Sequence, residues 1–282
     1  MKILVTGANG QLGQELQVVA KHYPQDVFIF VGRDEMPLNH PAQINSVLDH
    51  HNPDFIINAA AYTAVDKAES ELELTDLVNH QAVASMAKWA KQHSVQLIHV
   101  STDYVFQGDS STPLTESEET NPINVYGSSK QKGEQAILQS GADAVIIRTA
   151  WVYSTYGANF VKTMIRLMTE RDEISVISDQ IGSPTYAYDL AMVILTIAHS
   201  DKWNAGIYHY SNEGKTSWYD FAIAIRDVRS LDCRIKPIST EQYPTPAKRP
   251  RYSLLDKTKI KDTFAIEIPN WEESLRLMVG KL

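Results

Sequence analysis

A tyrosine and a lysine stand four positions apart in the stretch NVYGSSK, residues 124–130, among small polar residues. If a helix begins near Val125, the side chains of Tyr126 and Lys130 lie one turn apart on one face of that helix. A lysine ammonium beside a phenol favours the phenolate, so it should lower the tyrosine pKa from its usual value of about 10. Such a pair is suited to giving a proton to a carbonyl oxygen during reduction. The spacing alone is more typical of a solvated helix face, so its interpretation depends on the other motifs.

Three glycines follow the first apolar run of the chain, in the sequence TGANGQLG. Gly7 permits a tight turn, Gly10 lets a diphosphate approach the backbone, and Gly13 lets the following helix pack closely. The first N–H groups of that helix would attract the anion. An ordinary strand-to-helix turn is the alternative, but the position of the loop directly after a strand favours a dinucleotide site.

Two further segments follow predicted strands. In NAAAYTAVDKAE, the three alanines at 59–61 are small enough for a cofactor to lie against the backbone, although close helix packing would also explain them. The next strand ends in STDYVF, which places Thr102 and Asp103 at the mouth of the same crevice. Because a lone threonine hydroxyl is more often a cap or loop group than a catalytic one, the prediction depends on these motifs occurring together.

The elements that must position these residues are short β-branched runs alternating with helical patterns. The helical spacing is clearest over residues 74–92, and five runs have the composition of strands buried on both faces: KILVT, VFIFV, DFIINAA, VQLIHVS and AVIIRT. This alternation predicts an α/β fold, a Rossmann-like doubly wound parallel sheet. Ligands of such sheets bind beyond the carboxyl ends of the strands, where the motifs lie.

After residue 150 the pattern loosens, and no Gly/Ser-rich linker marks a boundary. We expect a dinucleotide-binding core over residues 1–150 and a smaller substrate-binding lobe over residues 151–282, interleaved with the core. The polar stretch 108–120 is typical of a surface loop.

Composition excludes several classes of protein. The 282 residues are 43% hydrophobic, enough for a large core, and the net charge of −8 with dispersed cations disfavours a nucleic-acid partner. The longest apolar stretch, around residue 190, is too short to cross a bilayer. The single cysteine, Cys233, cannot form an internal disulfide, which is typical of a reducing compartment. We therefore expect a cytoplasmic protein without nucleic-acid or membrane partners.

The motifs together resemble the extended short-chain dehydrogenase/reductase superfamily over essentially the whole chain, and within it the dTDP-4-dehydrorhamnose reductase family. The stretches that carry the resemblance are GANGQLGQEL, NAAAYTAVDKAE, STDYVFQG, NVYGSSKQKGE, RTAWVY, NFVKTM, DQIGSPT and AKRP. The resemblance implies that the catalytic set is Thr102, Tyr126 and Lys130. It also implies dinucleotide contacts at Gly10, Gln11, Leu12, Arg33, Asn39, Ala61, Tyr62 and Thr63, and sugar-nucleotide contacts at Val65, Asp103 and Trp151.

The activity implied by the resemblance is NADPH-dependent reduction of the C4 ketone of dTDP-4-dehydro-L-rhamnose to dTDP-L-rhamnose, for cell-surface polysaccharide synthesis. Two alternatives stay open at this point. One is another nucleotide-sugar 4-ketoreductase or epimerase of the same superfamily, and the other is a non-catalytic dinucleotide-binding regulatory subunit. An intact set of proton donor, lysine and threonine argues against the regulatory subunit.

Two arginines raise separate questions about ligand contacts. Arg33 follows the second strand and is suited to pairing with the 2′-phosphate of NADPH, whereas the adjacent Asp34 would suit NADH. We expect NADPH as the cofactor, with NADH as a second hydride donor. Arg249 is a candidate for pairing with the substrate diphosphate, and an ordinary ion pair is the alternative.

One departure from the family concerns metal. Some family members dimerise through a metal ion held by glutamates, and this chain has Glu15 but a tyrosine at position 188. We therefore predict no metal site, and a homodimer, if formed, is expected to lack a metal bridge.

Overall fold

The computed structural model describes all residues, 1–282. Its strands are β1 (Lys2–Thr6), β2 (Val27–Val31), β3 (Phe55–Asn58), β4 (Gln96–Thr102), β5 (Ala144–Thr149), β6 (Val152–Tyr153), β7 (Glu173–Ile177), β8 (Ile181–Gly182), β9 (Thr185–Tyr186), β10 (Gly206–His209), β11 (Thr216–Ser217) and β12 (Arg234–Ile238).

The helices are α1 (Gln11–Val19), α2 (Ile44–His51), α3 (Val65–Ala68), α4 (Leu72–Asp76), α5 (Ala82–His93), α6 (Val125–Ser140), α7 (Phe160–Glu170), α8 (Ala187–Ala198), α9 (Trp218–Val228), α10 (Thr258–Phe264) and α11 (Trp271–Val279). A π-helical turn, Leu77–Gln81, joins α4 to α5. None of the helices combines the length and apolar character needed to cross a lipid bilayer.

A six-stranded parallel sheet forms the centre of the molecule, in the order β10-β5-β4-β3-β1-β2. The five strands predicted from the β-branched runs are all present, and the strand order reverses between the neighbouring strands β1 and β3, as expected of a doubly wound sheet. The predicted fold class, an α/β Rossmann-like sheet, is confirmed.

Both faces of the sheet are covered, which explains why its strands read as continuous apolar runs. Ile3 and Val5 of β1 belong to a buried cluster with α1 and α8, while the intervening Leu4 belongs to a second cluster with α2 and α5. Alternate side chains of a strand therefore pack into two different cores. The polar residues at the strand ends do not belong to either core.

The glycine loop between β1 and α1 is shaped by close backbone contacts. Gly7 has a φ of +76°, a left-handed conformation that L side chains rarely adopt. A β carbon on Gly13 would lie 2.1 Å from the carbonyl oxygen of Gly7, so α1 can pack against this turn only if position 13 has no side chain. The loop therefore places the start of α1 next to the end of β1, as the glycine spacing predicted.

The second half of the chain has a separate hydrophobic cluster, built around α7, α9 and α11. Two elements of the second half nevertheless belong to the first-half core, because β10 pairs with β5 in the central sheet and α8 packs on α1. The chain thus leaves the sheet after β5, returns to it over residues 187–209, and leaves again. The division into a core at 1–150 and a lobe at 151–282 stays a prediction.

Candidate active site

The end of β4 places Thr102 and Asp103 inside the protein at the sheet's carboxyl edge. The Thr102 hydroxyl accepts a hydrogen bond from the N–H of Tyr104 at 3.2 Å and donates one to Asp103 Oδ1 at 3.0 Å. Asp103 is buried, and its Oδ2 atom has no hydrogen-bond partner. Burial raises the pKa of the Asp103 carboxyl to about 6, although hydrogen bonds from Ser253 and Thr102 oppose this shift.

Helix α6 begins at Val125, as predicted. The side chain of Asn124 caps it by accepting the N–H of Gly127 at 2.7 Å. A β carbon on Gly127 would lie 2.1 Å from the carbonyl oxygen of Tyr104, so a glycine here lets the helix touch the turn that follows β4. The ring of Tyr126 then packs edge-on against Tyr104, with centroids 5.7 Å apart.

The structure brings the three residues predicted to be catalytic to one place, but with different partners from those expected. The Tyr126 phenol lies beside the Thr102 hydroxyl, and this neighbour favours the ionised form of the phenol. Lys130 is buried, and its ammonium donates to the carbonyl oxygen of Val100 at 2.6 Å and contacts Nε2 of His99 at 3.2 Å. No hydrogen bond joins Lys130 to Tyr126.

The prediction that Lys130 lowers the pKa of Tyr126 is therefore wrong. Burial raises the pKa of Tyr126 to about 12, and the charge of Asp103 adds to the shift, while only the Thr102 hydroxyl opposes it. Burial also lowers the pKa of Lys130 to about 8, partly offset by the carboxylate of Glu134. Sequence spacing placed the two residues correctly but could not show where the ammonium points.

The loop after β3 is held against α6 by a buried asparagine. Asn79, in the π-helical turn, accepts from the N–H of Tyr62 at 2.8 Å and donates to the Tyr62 carbonyl and to Ser129 Oγ, each at 3.0 Å. Ala61 and Tyr62 are half-buried and Thr63 is exposed, at the side of the crevice that faces the glycine loop. The sequence analysis missed Asn79, whose only signal was a polar residue within an otherwise apolar helical stripe.

The glycine loop and its surroundings fit a dinucleotide. Gly10 is exposed at the N-cap of α1, whose first turn carries no acidic residue, and its side-chain-free backbone leaves the helix N-terminus accessible. Gly7 lies against the loop after β3, since a β carbon there would approach Ala60 N at 2.9 Å. Leu12 is buried beneath the loop, and Gln11 is half-buried and accepts from Asn159 at 3.0 Å. The chain therefore presents a narrow backbone cradle of the kind that a diphosphate requires.

The segment after β2 contains the residues expected to distinguish NADPH from NADH. Arg33 and Asp34 are both exposed, and neither forms an ion pair within the chain. The turn is closed by a hydrogen bond from the N–H of Met36 to the carbonyl of Gly32 at 2.9 Å. Asn39 is half-buried, with its amide 3.5 Å from the His40 ring. The guanidinium of Arg33 is free to meet a phosphate.

On the side where the resemblance places the sugar nucleotide, Trp151 follows β5 with a φ of +49°, an unusual conformation for a bulky residue. Its ring stacks on Trp218 at 3.6 Å between centroids and 13° between planes, which makes a wide apolar wall. Val65 opens α3 and is half-buried. The structure thus gives Trp151 a packing partner on one face of its indole.

Arg249 has a carboxylate partner within the chain. Its guanidinium pairs with Asp66 through two hydrogen bonds, Nη1 to Oδ1 at 3.1 Å and Nη2 to Oδ2 at 2.8 Å, and Nη1 also donates to Thr245 at 2.6 Å. The hydrogen bonds from Arg249 lower the pKa of Asp66. Contact between Arg249 and a diphosphate would have to compete with this ion pair.

Glu15 and Tyr188, the positions relevant to a metal bridge, both lie near the ammonium of Lys281. Glu15 is buried and accepts a hydrogen bond from Ser154 Oγ at 2.6 Å, and burial raises the pKa of its carboxyl. The ring of Tyr188 lies 4.6 Å below the ammonium of Lys281. No group of three or more histidine, cysteine, aspartate or glutamate side chains in the structure is arranged to hold a metal ion.

Comparison with known proteins identifies the family. The family profile described as the RmlD substrate binding domain matches residues 1–282. A dTDP-4-dehydrorhamnose reductase of Sinorhizobium fredii is 41% identical over 291 residues, covering 100% of this chain and 98% of that protein.

Solved structures agree. A dTDP-4-dehydrorhamnose reductase of Clostridium acetobutylicum superposes with a TM-score of 0.95 at 38% identity, over 100% of this chain and 99% of that one. The Bacillus anthracis enzyme of the same name, solved in complex with NADP, gives the same TM-score, identity and coverage. The chain therefore belongs to the dTDP-4-dehydrorhamnose reductase family.

Proposed function

We propose that this protein reduces the C4 ketone of dTDP-4-dehydro-L-rhamnose to dTDP-L-rhamnose with NADPH, in the cytoplasm, for polysaccharide synthesis. The observation that carries the proposal is the position of Tyr126 beside the Thr102 hydroxyl at the carboxyl edge of the sheet, with Lys130 one turn further along α6. The names of the relatives, and the NADP held by one of them, support the choice of substrate and cofactor.

Each residue of this set has a role in the proposed reaction. Bound NADPH supplies the hydride. The Thr102 hydroxyl orients the ketone oxygen and stabilises the negative charge that develops on it, and the Tyr126 phenol gives that oxygen a proton. Lys130 holds the ribose hydroxyls of the cofactor in position.

The raised pKa of Tyr126 is compatible with this role. With a pKa of about 12, the phenol is fully protonated across the neutral range, which is the state that a proton donor needs. An alkoxide is a much stronger base than a phenolate, so the transfer is downhill once the hydride has arrived. Lowering the tyrosine pKa, as the sequence suggested, is not required for reduction.

Cofactor contacts are proposed for residues around the glycine loop and at the ends of β2 and β3, and substrate contacts for residues on the opposite wall. The cofactor set is Gly7, Gly10, Gln11, Leu12, Gly13, Arg33, Asn39, Ala61, Tyr62 and Thr63, together with Tyr126 and Lys130 of the catalytic set. The substrate set is Val65, Thr102, Asp103, Tyr126, Trp151 and Arg249. We also propose that residues 151–282 form the lobe that closes over the sugar nucleotide, which their separate hydrophobic cluster supports.

The direct test is incubation of the purified protein with NADPH and dTDP-4-dehydro-L-rhamnose, following the loss of nicotinamide absorbance and identifying the sugar product by NMR. We expect one NADPH consumed per C4 alcohol formed. A product epimerised without net NADPH consumption would indicate an epimerase, and absence of any turnover alongside normal NADPH binding would indicate a regulatory subunit.

Arg33→Ala is expected to raise KM for NADPH by roughly tenfold, about 1.4 kcal/mol, and to leave KM for NADH almost unchanged. The reason is that the exposed, unpaired guanidinium can pair bidentately with the 2′-phosphate, which NADH lacks. Steady-state kinetics with both cofactors measure this, with Asp34→Ala on the same turn as the control. Equal effects on the two cofactors, or a wild type that prefers NADH, would instead assign the ribose contact to Asp34.

A further inference from the structure

Four polar side chains form a hydrogen-bonded row inside the protein, crossing from the glycine-loop strand to Lys130. Thr6 on β1 donates to Asn58 Oδ1 on β3 at 2.6 Å, and Asn58 Nδ2 lies 2.9 Å from Nδ1 of His99 on β4. His99 Nε2 lies 3.2 Å from the Lys130 ammonium. The first three are cross-strand neighbours in the register of the sheet. The row therefore connects three strands to α6.

All four side chains of the row are almost completely buried. Thr6 and Asn58 are each 1% exposed, His99 is 0% exposed and Lys130 is 1% exposed. Burying these polar groups costs free energy unless each is hydrogen-bonded. Apolar side chains at the same positions would avoid that cost. The far end of the row also meets the backbone, since the N–H of Ala60 donates to Thr6 Oγ1 at 3.2 Å. One end of the row therefore meets the loop after β3 at Ala60, and the other end is Lys130 itself.

We propose that His99 is a positioning residue, which accepts a hydrogen bond from the Lys130 ammonium and, through Asn58 and Thr6, fixes that ammonium relative to the loop at Ala60. This inference rests on the proposed reductase function, because it assigns Lys130 to the cofactor ribose. The ring is suited to the task because burial and the nearby lysine hold the pKa of His99 well below its usual value, so it stays neutral.

The proton arrangement of the row follows from the chemistry of its members. A charged lysine only donates, so Nε2 of His99 must accept and the ring proton must sit on Nδ1. In the structure Asn58 Nδ2 faces Nδ1 and Oδ1 accepts from Thr6, which is the arrangement for a neutral Lys130. When Lys130 is charged, the amide is rotated, so that Oδ1 accepts from the Nδ1 proton and Nδ2 donates to Thr6 Oγ1. An aliphatic residue at position 99 supports neither arrangement.

Few other titratable groups act on Lys130. Tyr126 and Glu134 share α6 with it, and the Glu134 carboxylate is neutralised by an ion pair with Arg148 on β5 at 2.7 Å. Asp103, in the turn after β4, acts on Tyr126. Glu134 raises the pKa of Lys130, and no charged side chain of the other packed elements adds to that shift. Loss of the His99 acceptor should therefore act directly on the lysine.

His99→Leu is expected to lower the pKa of Lys130 by about one pH unit, because the charged form loses one of its two acceptors. The alkaline limb of the kcat profile should move down by the same amount, and kcat/KM for NADPH should fall about tenfold. His99→Gln, whose side-chain oxygen can reach the ammonium, should restore most of both. His99→Asn is too short to reach it and should behave like leucine, which keeps the test valid if His99→Leu does not fold.

The Lys130 pKa can be measured without turnover, by NMR titration of the lysine ε-CH₂ signals in the free protein, with Lys130→Arg for assignment. Asn212→Leu is the matched control, because Asn212 is equally buried but its side chain bonds Asp189, Ser274 and the N–H of Tyr186, none of which contacts Lys130. It should lower the melting temperature without moving the Lys130 titration.

An unchanged Lys130 titration in His99→Leu or His99→Asn would overturn the inference, as would equal kinetics for the asparagine and glutamine variants. Failure of the proposed function gives a different result. In that case the wild type does not reduce the sugar nucleotide, while the NMR titration of Lys130 still reports whether His99 positions it.

Discussion

Tyr126→Phe is expected to lower kcat by about 10²- to 10⁴-fold while leaving the affinity for NADPH almost unchanged. Phenylalanine keeps the ring that packs edge-on against Tyr104, so the wall of the crevice is preserved. It removes the hydroxyl that lies beside Thr102, the group that we propose gives its proton to the substrate oxygen. Steady-state turnover and NADPH titration by fluorescence measure the two quantities separately.

Tyr153→Phe is the control for this prediction. The Tyr153 hydroxyl is buried without a hydrogen-bond partner, so its removal should leave turnover unchanged. A Tyr126→Phe enzyme with turnover within a few-fold of wild type would show that another group gives the proton. The buried carboxyl of Asp103, whose pKa is raised to about 6, would then be the next candidate.

The pKa values also identify which group should control activity at alkaline pH. Tyr126, with a pKa of about 12, does not ionise in the range where the protein is assayed, whereas Lys130 has a pKa of about 8. Because burial lowers its pKa to about 8, the ammonium is half charged near pH 8, and its charge is lost as the pH rises through that value. An alkaline limb near pH 8 therefore reports the lysine, and the row through His99 determines its position.

Much of this site could be predicted from the sequence because the signals are local. The Gly7 turn depends on residues within one loop, and the start of α6 at Val125 follows from the capping residue and the small residues beside it. The parallel sheet follows from β-branched runs separated by helices. In each case the residues that decide the structure lie within a few positions of one another.

Other features depend on contacts between distant parts of the chain. Arg249 pairs with Asp66, 183 residues away, so this ion pair could not be predicted from the segment AKRP. His99 sits within a run that reads as an ordinary buried strand, and only the sheet register shows that it faces Asn58. The error in the Tyr126 pKa has the same origin, because helical spacing gives the distance between two side chains but not the competing acceptors on β4.

Gly127→Ala is expected to lower kcat by about 10²-fold, although the new side chain is a single methyl group. Its β carbon would lie 2.1 Å from the Tyr104 carbonyl oxygen, which is backbone and cannot rotate away. Helix α6 or the turn after β4 must therefore shift by about 1 Å, and a displacement of that size between reacting groups can cost about 10²-fold in rate. Overpacking should also reduce the free energy of unfolding by about 1–3 kcal/mol.

The matched control is Ser128→Ala, the next residue on the same helix, which adds no atom and places alanine in a helical position that favours it. It should leave turnover within a few-fold and stability unchanged. Measuring kcat and thermal unfolding for both variants separates a general effect on α6 from a specific effect at the contact with Tyr104. If Gly127→Ala lost stability but kept turnover, the position of Tyr126 against Thr102 would not depend on the contact between Gly127 and the Tyr104 carbonyl. The Asn124 cap would then have to be what positions the proton donor.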